Sequence, residues 1–570
     1  MPLQTPPISS RIKSFIPILQ WMPAYSVNFL KWDVVAGITL ASFVLPESMA
    51  YATLAGVPAY YGIYCCLVGG LFFALFTSSK HVAIGPTSAI SLMIGSTVAA
   101  MAAGDTHKWL SIVSLVTLSC AAIYFIAFLF RLSSLVNFIS DSILLGFKAG
   151  AALSIISTQL PKLFGIEGGG GDFFSRIWNM VQHLPQTNIY VLGFGLLSLF
   201  LLLLGDRLFP GKPISIIVVI LSIIVLSVTG WSQLGIRITG AIPGGLPSVQ
   251  LPSFNLQEIN GVLELAFACC LMGYIESISA AKTFASKNGY DIDPRQELFS
   301  LSMANIAATF FSAYVVSGGL SQSTVNEKSG AKTPMSLIVC SFTLCILLLC
   351  FTGLLHNLPE VILAVIVVHA VAGLIRIKEL KRMYYLSKLE FGVALIAVIG
   401  VLTFGILKGV MIAVVGSLVF LIIRISRPHV AVLGRIGNTD IFSDIERHPD
   451  NTTIPGILIL RIEASILYFN AEHIQDRIKE IMEQYPGEIR MVILDLSPSF
   501  YVDVSGSSML LQLSEKLKLK GIPLKIVEAL STVRDILRKQ GMEEVIGKIS
   551  RKVSIQDAIE AFNQSNKSLD

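Results

Sequence analysis

The chain has 570 residues, of which 53% are hydrophobic and only 14% charged, with a mean hydropathy of +0.71. A soluble protein carries roughly 25% charged residues, so this composition belongs to a bilayer protein. The net charge of +5 is small and its cations are scattered over loops, which excludes a nucleic-acid surface.

Residues 1–33 are broken by Pro2, Pro6, Pro7, Pro17 and Pro23 and lack the apolar core of a signal peptide, so they read as a cytoplasmic tail. From Val34 to Arg427 we count fourteen apolar segments, several short or interrupted by Gly and Pro. Tyr190 to Leu204, Ile214 to Val228, Leu337 to Leu354, Val361 to Ile375 and Phe391 to Gly405 approach, with their flanks, the ~20 residues that a spanning helix needs. All eight cysteines fall in such stretches without CxxC spacing or histidine companions, and read as buried small hydrophobes with no metal role.

From Pro428 to Asp570 charge becomes frequent and the period changes. Strand patterns at Gly456 to Ile462, Arg490 to Leu496 and Pro523 to Val527 alternate with amphipathic helical patterns at Ala471 to Glu483, Gly506 to Lys520 and Thr532 to Gln540. Strand followed by helix, repeated, predicts a small α/β domain.

An N-terminus in the cytoplasm predicts Lys and Arg in the loops after even-numbered spans. Those loops hold Arg131; Arg207 and Lys212; Lys282, Lys287 and Arg295; Lys328 and Lys332; Arg376, Lys378, Lys381 and Arg382; and Arg424 and Arg427. The opposite loops hold fewer, for example Lys108, Arg237 and Lys408. Both termini, and with them the 428–570 domain, are therefore expected on the cytoplasmic side of the cell's inner (plasma) membrane.

An internal repeat organises the membrane part. Pro46-Glu47-Ser48-Met49-Ala50-Tyr51-Ala52 and Ile275-Glu276-Ser277-Ile278-Ser279-Ala280-Ala281 share a Glu-Ser pair inside apolar helices. Each is followed by a small, polar interruption, Ile84-Gly85-Pro86-Thr87-Ser88-Ala89 in one half and Ser317-Gly318-Gly319-Leu320-Ser321-Gln322-Ser323 in the other. Two halves of seven spans each, an odd number, must run in opposite senses, the inverted-repeat plan of many carriers.

Glycine and proline at these interruptions are helix-start signals. A helix beginning at mid-membrane leaves backbone N–H groups unpaired and carries about half a positive charge at that end. Two such ends aimed at one point make an anion site without a fixed Arg or Lys. The alternative is a small-residue packing interface between continuous helices.

Glu47 and Glu276 are the second anomaly, because an ionised carboxylate at a helix centre costs roughly 2.5–3.5 kcal/mol. Such an acid repels an anion unless it is protonated or paired with Na⁺, so Glu276, or Glu47, is expected to carry a coupling cation. A protonated Glu in a helix–helix hydrogen bond is the bland alternative. Tyr51, one turn beyond Glu47, shares its face and can wall a pocket. Gln159, Lys162 and Asn305 read as structural, and Lys148 as snorkelling to the cytoplasmic edge. Gly168 to Gly171 lacks the following Gly-Lys-Ser/Thr and is a loop connection, not a phosphate loop.

These residues carry a resemblance. The chain resembles the SulP family of anion transporters over essentially its whole length. The likeness rests on the Pro46 to Ala52 run, Ile84-Gly85-Pro86-Thr87, Gly146-Phe147, Glu276 to Ala285, Asn288-Gly289-Tyr290, Gln296-Glu297-Leu298, Asn305 and Gly318 to Asn326. The tail looks like a STAS domain. The resemblance implies fourteen spans in two inverted seven-span repeats, a core moving against a gate, a homodimer, and substrates such as sulfate, bicarbonate, chloride or dicarboxylates. It implies an anion site between the starts of the third and tenth helices, Gly85 to Ser88 and Gly318 to Ser323, with Glu47, Tyr51 and Glu276 contributed by the first and eighth. Many relatives carry Arg where this chain has Gln322, which argues against electroneutral exchange of a monovalent anion. In the tail, Asp503-Val504-Ser505-Gly506 keeps part of the Asp-Ser-Ser-Gly pattern of phosphorylated relatives, and Ser505 is expected as a helix N-cap. The domain is expected to serve dimer contact or a protein partner.

The expectation is therefore a cation-coupled carrier of small anions working by alternating access, with Thr87, Ser321, Ser323 and backbone amides holding the anion. H⁺ or Na⁺ is the coupling ion, no other cofactor is called for and no covalent chemistry is implied. An uncoupled exchanger or channel, and a membrane-tethered sensor signalling through its tail, are the alternatives.

Overall fold

The computed structural model describes residues 16–102, 105–133, 140–169, 171–209, 213–240, 243–249 and 259–567. Residues 1–15 of the expected tail, and Lys212 and Gly170 among the loop residues named above, lie outside these. The chain divides into two compact units, residues 1–417 and 418–570.

In the first unit, α1 (Val27–Leu54), α2 (Tyr60–Phe76), the two-residue strand β1 (Ile84–Gly85), α3 (Ser88–Ala102), α4 (Thr106–Leu129), α5 (Asp141–Phe164), α6 (Ile189–Leu208) and α7 (Ile214–Thr229) form the first half. The second half repeats the order with α8 (Ile259–Asn288), α9 (Pro294–Phe310), β2 (Ser317–Gly318), α10 (Leu320–Lys328), α11 (Met335–Cys350), α12 (Glu360–Ala372) and α13 (Lys388–Ser426). Gly405, at φ +82°, kinks α13 into two spans. Among the described residues this makes a polytopic α-helical membrane fold in which both halves carry an interrupted third helix. Among the described residues, seven helices are long and apolar enough to cross a bilayer by length and composition alone.

The first span starts earlier than expected. α1 begins at Val27, so the assigned tail boundary at residue 33 falls inside a helix. Asp33, the last residue of the assigned tail, is fully buried. Its carboxylate accepts from the Lys332 and Thr333 amides (2.7 and 3.1 Å), the Thr333 hydroxyl (2.7 Å) and the Tyr25 hydroxyl (3.1 Å).

Helix packing sorts the spans into two bodies. α1–α4 pack with α8, α9 and α11, while α5, α6, α7 and α12 pack among themselves and meet the first body along α1 and α3. Close approach is built in at Gly62, where a Cβ would sit 1.9 Å from the Ser48 carbonyl oxygen of α1. Exposed Phe200, Leu203, Ile217, Ile220 and Ile224 on α6 and α7 give that body an apolar outer face suited to lipid.

The second unit is a five-stranded sheet in the order β4-β3-β5-β6-β7, with β3 (Val430–Arg435), β4 (Phe442–Asp444), β5 (Ile457–Ile462), β6 (Met491–Asp495) and β7 (Leu524–Val527). β5, β6 and β7 are parallel, and β3 adds antiparallel to β5. Parallel strands need helical crossovers, supplied by α14 (Ala471–Gln484) and α15 (Val504–Leu519), with α16 (Ser531–Lys539) following β7. The sequence predicts these three strands and three helices but not the antiparallel pair β3 and β4. The N-cap of α15 is Asp503, not Ser505: its carboxylate accepts from the Gly506 amide (2.8 Å) and the Tyr468 amide (2.7 Å). Ser505 lies inside the first turn with its side chain exposed.

Candidate functional site: a cavity between two helix starts

β1 and β2 pair with each other, Ile84 opposite Gly318 and Gly85 opposite Ser317, in an antiparallel ladder. This brings the starts of α3 and α10 together although the two lie in opposite halves of the chain. Open backbone at membrane depth survives only where its polar groups are satisfied by protein or face a cavity. Here side chains supply most partners. The Gly318 amide donates to Ser277 Oγ (2.7 Å), the Ala83 amide to Ser323 Oγ (2.9 Å), and Asn326 Nδ2 to the His81 carbonyl (3.1 Å). Asn305 engages both backbone groups of Val316, each at 3.0 Å.

The helix starts themselves keep free amides. In α10 the first amide with a partner one turn back is that of Ser323, to the Gly319 carbonyl (3.0 Å), so those of Leu320, Ser321 and Gln322 precede it; in α3 it is that of Ser91, to Thr87 (2.9 Å). Gly319 caps α10 without a side-chain hydrogen bond. Glycine is required at position 85, where a Cβ would meet Cys66 Sγ at 2.8 Å and Gln322 Oε1 at 2.9 Å.

A cavity of about 610 Å³ opens at these starts. Of the residues singled out in the sequence, Tyr51, Pro86, Thr87, Ser88, Glu276, Gly319, Leu320, Ser321 and Gln322 line it. Four do not. Gly85 and Gly318 are held in the ladder. The Ser323 hydroxyl is turned onto the Gly319 carbonyl (2.6 Å). Glu47 sits one layer behind, its Oε1 accepting from the Tyr51 hydroxyl (3.0 Å) and the Ser321 hydroxyl (3.1 Å). Ser323 and Glu47 thus support the wall instead of forming it.

The wall also includes residues that the sequence left aside. Ser279 and Thr283 follow Glu276 at i+3 and i+7 on α8, a helical spacing that was available as a signal. Arg376 and Glu379, paired at 2.9 Å, stand on the short helix after α12. Lys148 of α5, read from the sequence as snorkelling to the cytoplasmic edge, lines the cavity as well.

Among the described residues, three buried oxygens around the helix starts, Glu47 Oε2, Glu276 Oε2 and Gln322 Oε1, have no protein hydrogen-bond donor. All three are acceptors, whereas the helix starts present donors. Each unsatisfied buried group costs about 1–3 kcal/mol, more when charged, so the arrangement suits a positive ion or proton beside the carboxylates together with an anion at the amides.

Comparison with known proteins gives a consistent picture. Residues 30–397 match the sulfate permease family and residues 448–555 match the STAS domain. The chain is 32% identical over 583 residues to Sulfate transporter 2.1 of Arabidopsis thaliana, covering 97% of this chain and 86% of that one. It is 32% identical over 584 residues to Low affinity sulfate transporter 3 of Stylosanthes hamata, covering 97% and 90%. Its fold is similar to the inward-facing structure of the murine Solute Carrier 26 family member A9 anion transporter, with a TM-score of 0.88 at 22% identity over 99% of this chain and 96% of that one. The transmembrane domain of the cyanobacterial bicarbonate transporter BicA superposes with a TM-score of 0.60 at 22% identity, over 69% of this chain and 98% of that domain.

Proposed function

The chain belongs to the sulfate permease family, and from that premise we propose that it carries sulfate, or an anion of similar size such as bicarbonate or a dicarboxylate, by alternating access coupled to H⁺ or Na⁺. It is a multi-pass membrane anion transporter with a STAS domain, and not an enzyme.

One observation carries the coupled reading: the donor-rich helix starts share one cavity with Glu276, whose Oε2 has no donor among the described residues. The free amides at Ser88 and Ser321 attract an anion, with Thr87 and Ser321 hydroxyls in reach of it. An anion entering alone would meet the Glu276 carboxylate as well, and Glu47 behind it. A proton or Na⁺ at Glu276 removes that repulsion and satisfies its orphan oxygen in one step. Both ligands therefore favour each other, which is the thermodynamic content of symport. Sulfate is preferred among the anions because the relatives above carry that name.

The basic loops support cytoplasmic N- and C-termini in the plasma membrane. On that orientation the cavity, walled by Thr283 and Arg376 near the basic helix ends, is open to the cytoplasm. The homodimer and a protein partner for the STAS domain belong to the same proposal and rest on the family resemblance.

The test is flux of radiolabelled sulfate, bicarbonate, succinate and chloride into proteoliposomes, with pH and Na⁺ gradients set independently. Sulfate uptake driven by one cation gradient supports the proposal. Uptake indifferent to both gradients points to an exchanger or channel, and ligand binding without flux to a sensor.

A further inference from the structure

Lys148 is seven residues into α5, about 10 Å from its start at 1.5 Å per residue. Its immediate neighbours Phe147 and Ala149 are buried, yet its own side chain is half-exposed to the cavity. A lysine at membrane depth is expensive unless it faces polar space or a counter-charge. Here it lines the same cavity as Glu276. The other lining cation, Arg376, is held by Glu379, whereas Lys148 makes no ion pair among the described residues. At the start of α10 the lining Gln322 is neutral and buried.

The charge balance of the anion seat then has a gap that Lys148 fills. Each helix start is worth about half a positive charge, so two of them match roughly one negative charge. A doubly charged oxyanion needs one more. Resting on the anion seat proposed above, we propose that Lys148 forms the subsite for the second negative charge of a divalent oxyanion and so selects divalent over monovalent anions. It does this from α5, which packs with α6 and α12 and touches the body that carries Glu276 along α3. A bound dianion therefore bridges the two bodies. Its departure returns the lysine to Glu276, so neither charge is left alone in the cavity.

The experiment uses the full-length chain, purified in detergent for equilibrium binding of radiolabelled sulfate and reconstituted for uptake, with unlabelled chloride and nitrate as competitors. Lys148→Met is expected to weaken sulfate binding at least about tenfold while leaving competition by the monovalent anions within about threefold, and Lys148→Arg to restore sulfate binding. Lys148→Gln serves where the methionine variant does not fold. Unchanged sulfate affinity in these variants, or an equal loss for all anions that arginine does not rescue, overturns the proposal. Thr87→Val separates the two levels. If it abolishes sulfate binding while Lys148→Met does nothing, only the lysine subsite falls; if neither variant affects binding, the anion seat itself falls.

Discussion

Asn305 holds Val316 by both of its backbone groups: Oδ1 accepts from the Val316 amide and Nδ2 donates to the Val316 carbonyl, each at 3.0 Å. Asn305 is fully buried. Asn305→Ala leaves two buried backbone groups without partners, at about 1–3 kcal/mol each. The expected outcome is a lower melting temperature in detergent and loss of sulfate uptake. Asn305→Asp, which keeps the acceptor and loses the donor, should fall between the two. A melting temperature unchanged by the alanine variant would contradict the clamp.

Gly85→Ala places a methyl group within 3 Å of Cys66 Sγ and Gln322 Oε1. Overpacking of a tight site costs about 1–3 kcal/mol. Here it displaces Gln322 and with it the start of α10, so sulfate affinity should fall about tenfold or more while the fold survives. The paired variant with Cys66→Ala makes room on one side and should recover part of the loss. Binding isotherms of the single and double variants check this.

Glu276 and Glu47 are expected to separate by role. Glu276 faces the cavity, and Glu276→Gln should leave a transporter whose uptake no longer follows a pH or Na⁺ gradient. Glu47 accepts from Tyr51 and Ser321 behind the wall. Glu47→Gln keeps one acceptor oxygen, so it should raise the KM for sulfate with a smaller effect on cation dependence. Uptake measured under imposed gradients distinguishes them. A gradient response retained by Glu276→Gln would move the coupling site elsewhere.

The corrected helix cap in the STAS domain gives an opposite pair. Asp503→Ala removes the acceptor for the Gly506 and Tyr468 amides and should cost about 1 kcal/mol, within the 0.5–2 kcal/mol span of lost N-caps. Ser505→Ala, at an exposed position inside the first turn, should be within about 0.5 kcal/mol of wild type. Denaturant unfolding followed through the second unit reads both.

Much of the fold was legible because long apolar runs and a switch to strand–helix alternation are properties of composition and period. The coming together of Thr87 and Ser321 was legible too, since matching interruptions in two halves of a chain suggest one shared place. What escaped depended on distant partners. Asp33 looks like part of a tail until its acceptors are seen to hold the amides of Lys332 and Thr333. Lys148 on an apolar helix fits an interface or a cavity equally well, and only the arrangement of α5 against the helix starts decides. Ser323 matches the polar pattern of the site, but its hydroxyl serves the backbone of its own turn and of Ala83. The cap at Asp503 did have a local signal, an Asp three residues before Gly506, whose amide donates to it, which the phosphorylation-like pattern around Ser505 obscured.

The seam between β1 and β2 also bears on how the protein is made. Ile84 leaves the ribosome long before its partner Gly318, so the first half of the seam must wait in the membrane with an open edge while the intervening spans are inserted. A chain stopped anywhere before β2 can possess every helix of the first repeat and still lack the β1–β2 pairing. The seam can therefore close only a little past the middle of synthesis, when the second interrupted helix arrives to meet the first.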